Sequence, residues 1–282
     1  MRERLTSFKR GDIMLLTEKI EVIGMGKFDG ILICSDWDGT LFYKGQIPKE
    51  SIDAIRYFQD NGGVFTVCSG RPPAYLKRHE HLVKPNTYAL CLNGACICDI
   101  DTGKIIEEGF VGDEAYDLVD TLLESGAKIK SVNAMIAGNE EMVFMPIEEY
   151  KAKKFELKAT RIYKLTLSGI DENDGETMRS AAASFNPQKH CAERSFHTYI
   201  EILNREYTKG AAARKLKERL GAKLLVGMGD YENDISLIKA ADIGYAVENA
   251  AIDVKNMADR ITVRVDEAAV AKIISDLEHS IN

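Results

Sequence analysis

Aspartates that are suited to paired carboxylate chemistry occur in two stretches far apart in the chain. Asp36 and Asp38 lie in the run Asp-Trp-Asp-Gly-Thr, and Asp230 and Asp234 lie either side of Tyr-Glu-Asn. Carboxylates that are brought together repel, and each raises the pKa of the other unless a cation or a proton intervenes. Mg²⁺ takes oxygen ligands from one or two carboxylates and keeps waters and a substrate phosphate. The pattern therefore indicates a magnesium site that combines Asp36 with Asp230 or Asp234, and a proton-transfer role for Asp38.

A second group of polar residues is suited to holding an anion. Lys209 stands at the start of a predicted helix, where its charge opposes the helix dipole at a cost of up to about 1 kcal/mol. A phosphate at that helix start, shared with the hydroxyl and backbone N–H groups of Ser69 and Gly70, would be the counter-anion. The remaining candidates for substrate contact are Arg71, Asn93, Gly94 and Asn233.

The elements that must position these residues alternate as in a doubly wound α/β sheet. Apolar runs predict strands at 31–34, 64–68, 88–92, 223–228 and 243–247, and helical spacing predicts helices at 51–59, 73–82, 210–220 and 233–240. In such sheets, ligands bind outside the carboxyl ends of the strands. The polar candidates follow predicted strands, except Lys209, which opens a helix. We therefore expect them to meet at one edge of the sheet.

The segment between the two halves of this pattern differs in character. Residues 96–203 combine alternating runs at 142–145 and 163–168 with predicted helices at 113–125 and 176–185. The fold class predicted is α/β, a Rossmann-like doubly wound parallel sheet core with an inserted α+β cap domain. The expected boundaries are an N-terminal extension at 1–27, the first part of the core at 28–95, the cap at 96–203 and the second part of the core at 204–282.

Composition narrows the classes of function. Hydrophobic residues make up 45% and charged residues 29% of the 282, which is a globular balance rather than a disordered one. A net charge of -7 argues against bulk affinity for nucleic acid or anionic membrane. Apolar runs fall short of the roughly 18 residues of a membrane span. The six cysteines have no Cys-x-x-Cys pairs and suit a reducing compartment, so we expect a soluble cytoplasmic protein.

Together these motifs resemble those of the haloacid dehalogenase (HAD) superfamily, in the Cof-type branch of phosphatases with a large class IIB cap. The resemblance covers residues 28 to 282. The main motifs match as Asp36-Trp37-Asp38-Gly39-Thr40, Ser69-Gly70-Arg71, Lys209-Gly210 and Gly229-Asp230-Tyr231-Glu232-Asn233-Asp234. Lesser matches are Asn93-Gly94-Ala95, Tyr199-Ile200-Glu201-Ile202 and Glu248-Asn249-Ala250. Trp37 departs from the usual aliphatic residue between the aspartates, and residues 1–27 have no counterpart.

The resemblance implies a role for each matching residue. Asp36 would be the nucleophile that forms an aspartyl-phosphate, and Asp38 the general acid and base. Ser69, Gly70 and Lys209 would hold the phosphate. The metal ligands of Mg²⁺ would be Asp36, Asp38 through its backbone oxygen, Asp230 and Asp234. The expected partner is a small phosphorylated metabolite such as a sugar phosphate, with no nucleic acid or membrane partner.

Two alternatives stay open at this point. A phosphotransferase or phosphomutase would use the same nucleophile and pass the phosphoryl group to a second acceptor instead of water. A catalytically silent binding or regulatory protein would keep the fold without the reaction, and the intact set of acids and lysine argues against it. The basic stretch of the cap, which comprises Lys151, Lys153, Lys154, Lys158, Arg161 and Lys164, is interpreted as a solvated face.

Overall fold

The structure is a computed structural model that describes residues 26–184 and 188–281. The predicted extension at 1–27 lies outside the described residues except for its last two positions. The last residue of the helix predicted at 176–185 lies outside them as well. Within the described residues, no helix is both long and apolar enough to cross a membrane.

Strands and helices alternate through most of the described chain. In chain order the strands are β1 (Ile31–Ser35), β2 (Val64–Val67), β3 (Ala89–Cys91), β4 (Cys96–Cys98), β5 (Ile105–Glu108), β6 (Ile129–Ile136), β7 (Ile162–Gly169), β8 (His190–Phe196), β9 (Tyr199–Asn204), β10 (Leu224–Gly229), β11 (Ile243–Ala246) and β12 (Arg260–Ile261). The α-helices are α1 (Lys49–Asp60), α2 (Pro73–Arg78), α3 (Asp113–Glu124), α4 (Ile147–Lys158), α5 (Glu172–Ser184), α6 (Lys209–Leu220), α7 (Ile235–Ala240), α8 (Ile252–Met257) and α9 (Ala269–Ile281).

The core is a five-stranded sheet in the order β12-β11-β10-β1-β2, and every pairing in it is parallel. Its central strands are apolar on both faces, as β1 shows. Ile31 and Ile33 join one hydrophobic cluster, while Leu32 and Cys34 join another on the opposite side. A strand that is buried on both faces reads as a continuous apolar run, which is why the sequence pattern was informative. The predicted doubly wound α/β core is confirmed.

The third predicted strand lies mostly outside this sheet. β3 touches the end of β2 through a single parallel bridge between Cys68 and Leu90 and pairs antiparallel with β4, which in turn pairs with β5. The strand is short because Leu92 and Asn93 take positive φ values of 56° and 60° and turn the chain back. The pattern of apolar residues gave the location of β3 but not its partner.

An antiparallel sheet in the order β6-β7-β9-β8 forms the centre of the inserted cap. Ala115, Leu118 and Leu122 on α3 pack with Leu165 and Leu167 of β7 in a hydrophobic cluster separate from those of the core. The segment predicted as a strand at 142–145 forms only an isolated bridge, between Val143 and Ala134 of β6. The inserted α+β cap is confirmed, and the positions of its boundaries remain proposals.

The cap sheet turns its other face towards the core. Side chains alternate along a strand, so Lys164 and Thr166 lie on the face opposite Leu165 and Leu167. Met135 of β6, which is paired with Lys164, belongs to the core cluster and fixes the direction of this face. The interpretation of the basic stretch as a solvated face is therefore wrong for Lys164, which is 3% exposed. The lysines at 151, 153 and 158 are exposed, as expected.

Candidate active site

Three aspartates converge at the carboxyl edge of the core sheet. Asp36 follows β1 and Asp230 follows β10, and these strands are hydrogen-bonded neighbours. Asp234 lies one turn further on, in a 3-10 turn at Glu232–Asp234, where its Oδ2 accepts the backbone N–H groups of Asp230 and Tyr231. One carboxylate oxygen from each aspartate lies within 4.8 Å of the others. The predicted meeting of residues from distant stretches is therefore observed for these acids.

Lys209 places one positive charge against this cluster. Its side chain is fully buried, and Nζ lies 2.6 Å from Oδ1 of Asp36 and 2.5 Å from Oδ1 of Asp234. The residue opens α6, and the Thr208 side chain caps that helix by accepting the N–H of Ala211. The sequence suggested a phosphate as counter-anion for this lysine. In the structure the carboxylates of Asp36 and Asp234 are the counter-anions of Lys209.

Burial and the charge of a neighbouring carboxylate raise the pKa values of two of these acids, Asp36 and Asp230. For Asp36 the causes are burial first and then the charge of Asp234, against the opposing effect of Lys209. For Asp230 the same two causes raise the pKa to about 7. Burial lowers the pKa of Lys209, but the charges of Asp234 and Asp36 outweigh it and raise the pKa overall. Three carboxylates therefore face one ammonium, and the excess negative charge calls for a further cation.

The donor set at this cluster fits a hard divalent cation. All three groups offer carboxylate oxygens, which are the ligands that Mg²⁺, Ca²⁺ and Mn²⁺ prefer. No histidine or cysteine joins the group within the described residues. The acid triad thus indicates a divalent metal site of oxygen ligands.

Gly39 and Thr40, which follow Asp38, both contact the carboxylate of Asp230 or leave room for it. Thr40 Oγ1 donates a hydrogen bond of 3.0 Å to Asp230 Oδ1. Gly39 has a φ of 87°, and a Cβ at that position would lie 2.4 Å from Asp230 Oδ2. The Asp-Gly-Thr sequence is therefore needed for contact between the two acidic loops. Thr40 had not been singled out as a site residue, although its place in the motif was the signal.

Asp38 is not part of the acid triad and pairs with Arg71. Its two oxygens accept hydrogen bonds of 2.8 and 3.0 Å from Nε and the terminal Nη2 of the guanidinium, and both side chains are about half exposed. The hydrogen bond to Asp38 raises the pKa of Arg71, whose guanidinium also lies 4.6 Å from the ring centroid of Tyr75. Asp38 therefore lies in a half-exposed environment, whereas Asp36 is buried.

The loop after β2 is held tightly by its neighbours. Ser69 is buried, its N–H donates to the carbonyl of Leu90, and its carbonyl accepts from the N–H of Asn93. Its Oγ accepts the N–H of Arg71 at 3.1 Å. Ser69 and Gly70 are therefore fixed at the same edge as the acids, between the ends of β2 and β3.

Asn93, Gly94 and Asn233 form part of the framework around the site. Asn233 Nδ2 lies 3.4 Å from Oδ1 of Asn93, and both residues are buried. A Cβ at Gly94, whose φ is 94°, would lie 2.3 Å from the carbonyl oxygen of Thr208. Gly94 thus permits close contact with the start of α6, where Lys209 stands. Substrate contact by these three residues remains a prediction.

Two further residues of the site come from the cap. Lys164 and Glu201 form a buried ion pair that contacts the backbone at Gly70 and the side chain of Asn93. The sequence signalled Lys164 only as a charged residue in an alternating apolar run, and Glu201 only as part of a lesser family match. Such a signal does not tell a solvated face from a face packed against another domain.

A parallel sheet with carboxylates at its carboxyl edge and an α+β cap above them is the architecture of a capped α/β hydrolase. Residues 33–274 match the family profile described as haloacid dehalogenase-like hydrolase. The chain belongs to this family, and within it to the Cof-type phosphatases of subclass IIB. The predicted resemblance is confirmed.

Several relatives cover nearly the whole of the described chain. A putative phosphatase of Bacillus subtilis, YxeH, is 28% identical over 264 residues, which are 87% of this chain and 97% of that protein. The 5-amino-6-(5-phospho-D-ribitylamino)uracil phosphatase YcsE of the same organism is 28% identical over 251 residues, 86% of this chain and 94% of that one.

Solved structures agree on the fold. A haloacid dehalogenase-like hydrolase from B. subtilis superposes with a TM-score of 0.70 at 21% identity, over 86% of this chain and 98% of that one. A HAD subclass IIB sugar phosphatase superposes with a TM-score of 0.66 at 20% identity, over 87% and 98% of the two chains. At this identity the likeness supports the fold, and the substrate must be argued from the site.

Proposed function

We propose that this phosphatase is Mg²⁺-dependent and hydrolyses a small, hydroxyl-rich phosphomonoester of the sugar phosphate type through an aspartyl-phosphate on Asp36. The observation that carries the proposal is the position of Asp36, which lies beside the carboxylates of Asp230 and Asp234 and accepts a hydrogen bond from the Lys209 ammonium. That setting holds a carboxylate in place and offsets the charge that builds up around it.

The reaction divides into two transfers. An oxygen of Asp36 attacks phosphorus, and the bond from phosphorus to the alcohol oxygen breaks while Asp38 gives a proton to that oxygen. Water then attacks the phosphorus of the aspartyl-phosphate, Asp38 takes its proton, and inorganic phosphate leaves as the Asp36 carboxylate is restored. Asp38 must leave its ion pair with Arg71 for these steps, and the half-exposed position of both side chains allows that movement.

Phosphate binding is assigned to residues that are fixed before substrate arrives. The Ser69 hydroxyl oxygen accepts a hydrogen bond from the N–H of Arg71. The hydroxyl proton is therefore available for donation to a phosphate oxygen. Gly70 offers a backbone N–H beside it, and Lys209 supplies charge at the base of the site. Arg71 is suited to a phosphate oxygen once Asp38 turns to the leaving group.

Mg²⁺ would be held by the carboxylates of Asp36, Asp230 and Asp234 and by the backbone oxygen of Asp38. When bound, it would offset the negative charge of the acids and of the phosphate. The oxygen-only donor set supports the choice of a hard cation. The raised pKa values of Asp36 and Asp230 are consistent with it: burial is the main cause, the charge of Asp234 adds to it, and a bound cation would favour the ionised form of both acids.

The substrate class is inferred from the cap face above the site. Thr166, 6% exposed, lies on that face, and its Oγ1 is buried without a hydrogen-bond partner in the described part of the chain. Ser168 lies two residues further along the same face. Hydroxyls in this place suit a leaving group that carries hydroxyls of its own. The names of a ribitylamino-uracil phosphatase and a sugar phosphatase among the similar proteins agree with this class.

The test is phosphate release from sugar, polyol and nucleotide monophosphates, with and without Mg²⁺. We expect metal-dependent turnover of a polyol or sugar phosphate in the parent and essentially none in Asp36→Asn. The control is Asp60→Asn, at an exposed helix end, which should retain full activity. Retention of most activity in Asp36→Asn would refute the nucleophile assignment. Isomer formation without phosphate release would favour the phosphomutase alternative.

A further inference from the structure

The face of the cap that is turned to the core carries a buried ion pair that the chemistry above does not use. Lys164 Nζ lies 2.9 and 3.0 Å from the two oxygens of Glu201, and the side chains are 3% and 9% exposed. The residues stand on neighbouring strands, since Thr166 of β7 is the register partner of Glu201 on β9. Burial of two charges is unfavourable unless their remaining donors and acceptors are also satisfied.

The core supplies those remaining partners. Lys164 Nζ donates a third hydrogen bond, of 3.1 Å, to the carbonyl oxygen of Gly70. Glu201 accepts a hydrogen bond from Nδ2 of Asn93. Gly70 and Asn93 belong to the core, whereas Lys164 and Glu201 belong to the cap sheet. The pair is therefore fully hydrogen-bonded only when the cap is docked on the core.

Both core partners belong to the loops that shape the phosphate site. Gly70 follows Ser69, and the N–H of Asn93 donates to the Ser69 carbonyl at 2.9 Å. Oδ1 of Asn93 also faces Nδ2 of Asn233, which precedes Asp234. One connected set of hydrogen bonds thus runs from the cap through Asn93 to the phosphate loop on one side and the acidic loop on the other.

We propose that Lys164 and Glu201 form a positioning pair that couples docking of the cap to the geometry of the phosphate loop. When the cap docks, the ammonium fixes the Gly70 carbonyl and the carboxylate fixes the Asn93 amide, and Ser69 between them takes its catalytic position. When the cap lifts, both anchors are lost together. The phosphate site is then complete only when water has been excluded by the docked cap. The coupling deepens the proposed function, although the contacts that produce it exist independently of the substrate.

The test is the double variant Lys164→Met with Glu201→Gln, which removes both charges and leaves an amide oxygen for Asn93. The matched control is Lys154→Met with Asp120→Asn, which removes an ion pair that links α4 to α3 inside the cap. Amide hydrogen exchange is followed by mass spectrometry in peptides that cover residues 68–72 and 92–95, and in peptides of β7 and β9. The measurement needs no substrate, so it stands even if no phosphomonoester is turned over.

We expect exchange in 68–72 and 92–95 to be faster in the double variant, with β7 and β9 still protected, and unchanged in the control. With a substrate found in the panel above, kcat should fall by about 10- to 100-fold, because misplacement of about 1 Å can cost 10²-fold. Unchanged exchange in both core peptides would overturn the proposal. Loss of protection in β7 and β9 as well would show a purely structural role and would also overturn it.

The single variant Glu201→Gln covers the case in which the double variant does not fold. It keeps an oxygen for Asn93 and for Lys164, but it removes the charge that holds the ammonium on the Gly70 carbonyl. The same two core peptides should exchange faster, by a smaller factor than in the double variant. Exchange equal to that of the parent would contradict the coupling.

Discussion

Lys209 Nζ lies 2.6 Å from Oδ1 of Asp36, and both groups are almost wholly removed from solvent. The same nitrogen holds Asp234 at 2.5 Å, so one ammonium organises the proposed nucleophile and a proposed metal ligand. The start of α6 fixes where that ammonium can reach. Lys209 therefore holds the carboxylates of Asp36 and Asp234 in place before substrate binds.

Removal of this ammonium should destabilise the protein. Lys209→Met leaves two buried carboxylates without their counter-charge, which typically costs about 3–5 kcal/mol when one partner of a buried pair is removed. The free energy of unfolding is measured by urea titration at pH 8 in a chelator. Lys215→Met on the same helix is the control, because its pair with Glu107 is partly exposed and should contribute less than about 1 kcal/mol. Equal losses in the two variants would contradict the role given to Lys209.

Mg²⁺ should stabilise the parent protein through the acid triad. Binding to the folded state alone adds about 2.7 kcal/mol at a concentration 100 times Kd, so the Tm should rise with added Mg²⁺. Asp230→Asn and Asp234→Asn should each reduce this rise, while the exposed Asp60→Asn should keep it. The measurement is thermal unfolding across a Mg²⁺ titration after chelator treatment. A full rise of Tm in both triad variants would place the metal elsewhere.

The sequence predicted the strands of the core and the meeting of its acids better than it predicted individual side-chain contacts. Apolar runs predicted β1, β2, β10 and β11 because these strands are buried on both faces and their residue types show it. The meeting of Asp36 with Asp230 followed from sheet topology. Neither the residue types nor the order of strands predicts contacts that depend on side-chain direction. The pairing of β3 with β4 and the engagement of Lys209 by carboxylates were therefore not foreseen.

The sequence also failed to predict which charged residues are buried. A lysine in an alternating strand predicts a solvated face, and at Lys164 that prediction failed because a second domain covers the face. Glu201 stood in a stretch that resembled a family motif, but its residue type and spacing did not indicate which side chain it would pair with. Long-range packing between cap and core decides such positions, and a single sequence does not record it.

Asp38→Asn should separate chemistry from metal binding. The variant loses the carboxyl proton that the leaving oxygen needs, and general acid–base catalysis typically contributes about 10²- to 10⁴-fold. Its proposed metal contact is a backbone oxygen, so the rise of Tm with Mg²⁺ should be largely kept. Turnover and the Mg²⁺ thermal shift are measured on the same preparation. Loss of the thermal shift would show that the side chain, rather than the backbone, serves the metal.

Gly39→Ala should weaken metal binding through Asp230. The added Cβ would stand 2.4 Å from Asp230 Oδ2, so the carboxylate must move away from the triad. Gly45→Ala is a matched control, since its φ of 85° is close to the 87° of Gly39 and a Cβ there meets nothing within 4 Å. Both variants carry a similar backbone strain, so only the contact differs. We expect a smaller Mg²⁺ thermal shift in Gly39→Ala than in Gly45→Ala, and equal shifts would contradict the close approach.

Glu193 of β8 carries a carboxyl group at the junction of cap and core. Burial and the charge of Glu201 raise its pKa to about 8, and its Oε2 is buried without a hydrogen-bond partner among residues 26–184 and 188–281. Between the unfolded pKa of about 4.3 and pH 8, the folded state holds a proton that the unfolded state has released. Stability linked to this group is therefore fully present below about pH 4.3 and is lost progressively as the pH rises from there to the folded pKa of about 8.

Glu193→Gln keeps the shape of the protonated acid and removes its titration. At pH 4.5 the free energy of unfolding should be close to that of the parent. At pH 8 the variant should be more stable by about 1–3 kcal/mol, because it is spared the release of a proton on unfolding. Glu218→Gln on the exposed side of α6 is the control and should follow the parent at both pH values. A Glu193→Gln variant with no advantage at pH 8 would mean that the Glu193 carboxylate is solvated in the folded protein.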